Sequence, residues 1–370
     1  MSVPTRIFDL KAISANFAID GCFTEAIPYG NGHIHDTFLA SFMSGTTELK
    51  YIFQRINTNI FKTPEKVMEN IQRVTSHLKK QIVAQGGDPL RETLNVVLSH
   101  DNRSFFVSPE GHYWRAYLFI DKAKTYDIVL DGRHIYNASR AFGFFQRRIA
   151  DLPGDRLFDV LPDFHNTEKR FVNFTNALAK DAKNRAQSVK TEVAFVLARE
   201  KDAKILCGLL RDGKIPERIT HNDTKFNNVM IDDVTGEGIC VIDLDTVMPG
   251  LVLYDFGDSV RIGASTAAED EKDLSKVGVD LGLFDRLAAG YLDAVRGFLT
   301  PVELEYLAFS AKLLTFECGM RFLTDYIEGD TYFKIKHPEH NIDRCRTQLK
   351  MVADMEEKMG KMEEIVEKFK

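Results

Sequence analysis

Cysteine is scarce and spaced for no pairing. Cys22, Cys207, Cys240, Cys318 and Cys345 make an odd five with no C-x-x-C among them, which argues against a disulfide framework or a zinc site and fits reduced, mostly buried thiols. Excess positive charge is also missing. With 48 Lys+Arg against 54 Asp+Glu the formal charge is −6, so no basic field is offered to nucleic acid or to an anionic membrane. The stretch from Met1 to Ile19 carries Arg6, Asp9 and Lys11 and has no unbroken apolar run. Neither a signal peptide nor a membrane span is expected there, and a cytoplasmic protein is. No repeat or low-complexity tract interrupts the chain, and no G-x-x-x-x-G-K-[ST] occurs, which sets P-loop NTPases aside. What is present is 370 residues, 44% hydrophobic and 28% charged, enough for two packed lobes and a small-molecule partner.

One stretch, Thr220 to Asp258, carries the chemistry. His221, Asp223 and Asn228 stand in the order H-x-D-x-x-x-x-N of a kinase catalytic loop. There the Asp takes the proton of the acceptor hydroxyl and the Asn holds Mg²⁺. Two apolar runs follow, Val229 to Ile231 and Ile239 to Leu244, parted by Thr-Gly-Glu-Gly at 235–238. They predict a β-hairpin that returns Asp243 and Asp245 to Asn228. A carboxamide and a carboxylate there suit a Mg²⁺ that already carries phosphates, so Asn228 and Asp243 are the candidate metal ligands and Asp223 the candidate base. Asp255-Phe256-Gly257 spells D-F-G, but it follows a Pro249-Gly250 turn signal. The expectation is that Asp255 acts on stability and not on metal.

Upstream, Pro28-Tyr-Gly-Asn-Gly-His-Ile-His between apolar runs predicts strand, glycine loop, strand. Gly30 and Gly32 let backbone N–H groups approach a polyphosphate, although a plain hairpin turn would use the same glycines. His33 and His35 add side chains for substrate contact or for mere surface placement. Leu49 to Ile56 reads as the next strand. Thr63-Pro64 with Val67, Ile71, Val74, Leu78 and Ile82 predicts one long helix, on which Glu69 is either an ion-pair carboxylate or solvated. Leu94 to Leu98, Ser104 to Val107 and Tyr113 to Ile120 complete a sheet of five or so antiparallel strands. The polar run after Phe119-Ile120-Asp121 marks a hinge, where the backbone of Ile120 is placed to meet an adenine edge. Beyond it, helical periodicity dominates, ending in a stripe of Met351, Met355, Met359, Met362, Val366 and Phe369 that predicts packing on its own lobe.

The loop, and an apolar strand ending in I-D, resemble the aminoglycoside phosphotransferase and choline kinase superfamily. The longer string H-N-D-T-K-x-N-N-V … C-V-I-D-L-D-T-V-M-P-G-L … D-F-G-D resembles one branch of it, the bacterial N-acetylhexosamine 1-kinases. The resemblance implies an α+β, bilobal protein-kinase-like fold, with a β-rich nucleotide lobe at 1–121 and a mainly helical catalytic and acceptor lobe at 122–370. It also implies ATP and Mg²⁺ as cofactors and a sugar phosphorylated on its anomeric hydroxyl. A second resembling stretch, Glu317 to Lys334, places Arg321 and Tyr332 at positions that contact the sugar in that branch; pairing of Arg321 with Glu317 four residues earlier is the alternative. Asp163-Phe164-His165-Asn166 with Arg170 resembles a segment beside the catalytic loop, or is simply a helix cap. One departure stands out: Gln54 occupies the strand position where the superfamily often has Lys or Arg to clamp the nucleotide. Aminoglycoside, choline or another sugar are the rival acceptors, and a non-catalytic nucleotide-binding protein is the rival of another class.

Overall fold

Alternating apolar residues build an antiparallel sheet near the N-terminus. The computed structural model describes residues 8–30, 32, 34–126 and 132–369, and these fall into two compact units. The first takes in the described residues of Met1–Ala123 together with Asp151–Leu161 and Ile239–Val247. Its strands run in the order Cys22–Pro28, Asp36–Ser44, Thr47–Arg55, Tyr113–Leu118 and Val96–Val97, and Phe106–Val107 also pairs with Tyr113–Leu118. All these pairings are antiparallel. The turn between the second and third strands holds two residues, and Gly45 at φ +62° supplies the positive dihedral that such a tight hairpin demands.

One face of this sheet buries Phe17, Phe42, Tyr51, Phe53 and Trp114. The helix Pro64–Ala84 presents Val67, Ile71, Val74, Leu78 and Ile82, all buried, as its periodicity requires; each contributes about 1.5–3 kcal/mol relative to exposure. Thr63 stands at the N-cap but its side chain accepts no cap bond, so Pro64 is what sets the helix start. Glu69 is solvated on the outer face. Asn70, fully buried, donates to the carbonyls of Phe158 (2.8 Å) and Val247 (2.9 Å). These bonds explain why 151–161 and 239–247, remote in sequence, belong to this unit.

The second unit is Lys124–Ala150, Pro162–Gly238 and Met248–Lys370, with its masked residues excepted. It is mainly helical, with Gly132–Ile149, Thr167–Lys180, Glu200–Arg211, Val252–Gly263, Leu281–Ala294, Leu307–Glu328 and His340–Glu367 as its main elements. Met351, Met355 and Met362 are fully buried in its core and Met359 packs against it, so the methionine stripe packs on its own unit. The chain turns after Leu281–Ala294, where Thr300 and Glu303 form a reciprocal capping box around Pro301. Gly257 lies on the helix Val252–Gly263 so close to the helix Leu307–Glu328 that a Cβ would stand 2.5 Å from the Ser310 carbonyl.

Candidate active site

In the second unit the strand Arg218–Thr220 delivers the loop that follows it, and it pairs antiparallel with Met248–Gly250. Pro249-Gly250 is therefore strand and not turn, a correction with a consequence for the D-F-G triplet. Pairing here brings the helix Val252–Gly263 directly under the loop. The Asp255 carboxylate, 1% exposed, accepts from the backbone amides of His221 (2.9 Å) and Asn222 (2.7 Å) and from Gln146 Nε2 (2.6 Å). Thr224 Oγ1 donates to the Asp255 carbonyl at 2.6 Å. Burial pushes the Asp255 carboxyl up, and its donors push back. Phe256 is core at 1% exposure. All three residues of the triplet thus serve packing and loop support.

Held this way, Asn222 adopts φ +64°, a strained dihedral for a residue with a side chain. The next residue, Asp223, is the candidate base. Its carboxylate is paired with Lys225 Nζ at 2.7 Å and 2.9 Å on its two oxygens. Asn228 Nδ2 donates to the Asp223 carbonyl at 2.8 Å. That bond fixes the orientation of the amide and leaves Asn228 Oδ1 with no hydrogen bond among the described residues, an oxygen fit to hold a hard cation. Behind the loop, His165 Nδ1 lies 2.9 Å from Glu317 Oε1 and its Nε2 3.0 Å from the Asn222 carbonyl. Both neighbours only accept, so both ring nitrogens donate. Burial opposes the charge on His165, yet Glu317 prevails and raises its pKa. Asn166 caps the helix that follows by accepting from the Lys169 amide.

The stretch expected to meet the acceptor, Glu317 to Lys334, lies on the helix Leu307–Glu328 and just beyond it. Glu317 is engaged with His165, and the Arg321 guanidinium makes no hydrogen bond or ion pair among the described residues. It instead stands 5.5 Å from the Phe164 ring, 5.9 Å from Tyr332 and 5.5 Å from Phe333. Arg170 donates twice to the Phe164 carbonyl; burial first, and then the charge of Arg321, lower its pKa. Tyr332 is 68% exposed.

In the first unit the structure supplies a cation that sequence reasoning missed. Arg115, 1% exposed, sits opposite Gln54 in the sheet register. Its Nε donates to Gln54 Oε1 at 3.0 Å, and its two terminal nitrogens grip both oxygens of Asp245, the Nη2 bond being 2.6 Å. Gln54 Nε2 donates onward to Thr37 Oγ1 at 3.1 Å. The positive charge absent at Gln54 is carried one strand over. Its signal was legible as a lone Arg within the apolar strand Y-W-R-A-Y-L. His35 is also drawn in: its Nδ1 accepts from the Asn57 amide at 3.0 Å, which puts the ring proton on Nε2, 3.2 Å from Asp245. Burial would raise the Asp245 carboxyl, but Arg115 and His35 hold it well below the usual carboxylate range. Asp245 is thereby committed to an ion pair. Asp243, two residues before, takes φ +58° and stands at the N-cap position of the short helical turn Leu244–Thr246 without a side-chain cap bond. Gly30 adopts φ +77° with open space around it, Gly32 is likewise unhindered, and His33 lies outside the described residues. The Ile120 side chain is buried, and its backbone takes no hydrogen bond among the described residues.

The chain belongs to the phosphotransferase enzyme family, whose model matches residues 27–296. By that membership it is a phosphotransferase. Among solved structures it is similar to an aminoglycoside phosphotransferase from Alicyclobacillus acidocaldarius, at 11% identity and a TM-score of 0.61 over 99% of this chain and 98% of that one. A choline kinase from Cryptosporidium parvum follows at 13% identity and 0.58, over 95% and 96%. A spectinomycin phosphotransferase solved with ADP and spectinomycin matches at 12% and 0.55, over 95% and 98%. At such identities the likeness is one of fold, and it is the α+β protein-kinase-like fold that the sequence resemblance implied. Among the described residues no helix is long and apolar enough to cross a membrane.

Proposed function

We propose that this phosphotransferase uses ATP to phosphorylate the anomeric hydroxyl of N-acetylglucosamine or N-acetylgalactosamine. The observation that carries the choice of acceptor is the pair of guanidiniums beside Phe164. Two guanidiniums, Arg321 and Arg170, flank Phe164, and the aromatic faces of Phe164, Tyr332 and Phe333 are already turned to Arg321. Choline and aminoglycosides are cations. They would meet like charge, and a quaternary ammonium would find its aromatic cage filled. A neutral sugar takes instead the fixed fork of guanidinium donors and a phenol, which suit hydroxyl and acyl oxygens.

In this reading Asp223 orients the acceptor hydroxyl and takes its proton as the oxygen bonds to the γ-phosphorus and ADP departs. Asn228 and Asp243 are assigned as the magnesium ligands by their order in the motif, and the unbonded Oδ1 of Asn228 fits that part. Magnesium supplies neutralisation of charge on the β- and γ-phosphates. Gly30, Gly32, Gln54 and the backbone of Ile120 are assigned to the nucleotide, and His33, Arg321 and Tyr332 to the sugar. ADP in the similar spectinomycin phosphotransferase supports ATP as the donor. A cytoplasmic location is in keeping with these substrates.

An ATP-consumption assay across N-acetylhexosamines, other sugars, choline and aminoglycosides tests the acceptor. Arg321→Ala should then raise the N-acetylhexosamine KM or lower kcat/KM by about 1–3 kcal/mol, the cost of leaving a buried polar group of the sugar unpaired. The ATP KM should hold. A defect confined to ATP would remove Arg321 from the acceptor site.

A further inference from the structure

The loop that presents Tyr332 is wound around a single buried carboxylate. Asp325 lies in the last turn of the helix Leu307–Glu328 and is 3% exposed. Its Oδ1 accepts from the amides of Thr331 and Tyr332, both at 2.8 Å, and from Thr331 Oγ1 at 3.4 Å. Its Oδ2 accepts from the Phe333 amide at 3.0 Å and from Asn341 Nδ2 at 2.8 Å. The Asp325 carbonyl also takes the amides of Gly329 (2.9 Å) and Asp330 (2.8 Å), with Gly329 at φ +104° turning the chain back on itself. From outside, Arg185 pairs with Asp330.

Such a carboxylate is not what a helix C-terminus asks for. The last carbonyls already carry partial negative charge, and an anion beside them is unfavourable. Three consecutive amides and a carboxamide offset that cost, and they do so by fixing the backbone from Thr331 to Phe333. Phe333 packs on Phe322 with ring centroids 4.6 Å apart, whereas the Tyr332 ring, set edge-on to Phe333 at 4.8 Å, stays 68% exposed beside Arg321. A large aromatic is thus held by its backbone and left open at its side chain. That is the state of a group ordered in advance for a ligand, which lowers the entropy cost of binding.

We propose that Asp325 is a positioning residue of the acceptor site, acting through Tyr332 to set acceptor affinity. This rests on the reading that Arg321 and Tyr332 bind the acceptor. In Asp325→Asn an NH₂ must face one set of N–H donors, and the loop loses part of its tether. With N-acetylglucosamine and N-acetylgalactosamine varied apart from ATP, Asp325→Asn should raise the acceptor KM about tenfold, the equivalent of roughly 1.4 kcal/mol of binding, with the ATP KM within about twofold. In the Tyr332→Ala background the same change should add nothing further, because two residues acting as one unit are not additive. Amide hydrogen exchange on the unsubstituted protein should show Thr331, Tyr332 and Phe333 protected, a result that needs no variant to fold. Unprotected amides, or an acceptor KM unmoved in Asp325→Asn while Tyr332→Ala raises it, would overturn the positioning role alone. Absence of turnover with either sugar, or a Tyr332→Ala enzyme with normal acceptor KM, would instead overturn the reading on which it rests.

Discussion

Replacing Asp255 distinguishes its part from that of Asp243, the aspartate proposed to hold the metal. Its Oδ1 accepts from the Asn222 amide, and its Oδ2 from the His221 amide and Gln146. An Asn has one accepting oxygen. Seated with that oxygen at the Oδ2 position it keeps two donors and leaves the Asn222 amide facing an NH₂; the opposite placement leaves two donors unmet. Gln146 cannot turn over freely to help, since its Oε1 accepts from the Tyr291 hydroxyl. One buried donor left unsatisfied costs about 1–3 kcal/mol. Relief from burying a charge, which pushes this carboxyl up, offsets part of that, so Asp255→Asn should lose about 1–2 kcal/mol. Asp255→Ala strands all three donors and leaves a void, and about 3–5 kcal/mol is expected. Urea unfolding at constant slope reads both values. A Mg²⁺ titration of initial rates on the folded variants should show an unchanged requirement, whereas Asp243→Ala should lose Mg²⁺-dependent activity. If Asp255→Ala keeps parental stability yet needs far more Mg²⁺, beside a normal Asp243→Ala, the metal belongs to Asp255 and the loop-anchor argument falls.

Other perturbations test the remaining groups. Asp223→Asn should bind nucleotide almost normally and lose about 10²–10⁴-fold in turnover; near-full activity would show that another group accepts the proton. Arg115→Met leaves Asp245 buried without its guanidinium, and chemical denaturation should record a loss of about 3–5 kcal/mol, with less than about 1 kcal/mol refuting a buried pair. Because the Asp245 carboxyl is depressed when folded, its contribution is present above the unfolded value of about 3.9 and fades as pH falls through the folded one. His165 is the opposite case. Its pKa is raised by the Glu317 pair against burial, so its contribution is complete below about pH 6.5 and is lost as pH rises through the folded value. Stability profiles of parent and His165→Gln should therefore converge at alkaline pH, and parallel profiles would mean that the imidazole is neutral throughout.

The sequence alone determined the elements and the loop. Strand alternation, the stripe of the helix Pro64–Ala84 and the order of His221, Asp223 and Asn228 are local patterns, written within a few residues and read by period or spacing. The methionine stripe belongs with them, because a continuous apolar face on a long helix has to be covered. What the sequence could not determine was which distant side chain meets which. Asp255 was set apart from the candidate metal ligands only by its distance along the chain, and the contacts it does make, to amides 34 and 33 residues upstream, depend on the pairing of Met248–Gly250 with Arg218–Thr220. Gln54 read as a missing cation until the strand Tyr113–Leu118 set Arg115 opposite it and brought in Asp245, 130 residues away. His165 and Glu317 are 152 residues apart, and neither has a local pattern that names the other. The reason is physical: periodicity reports the face a residue turns to the core, but the partner of a buried charge is chosen by tertiary packing, where the cost of leaving that charge unpaired is decided.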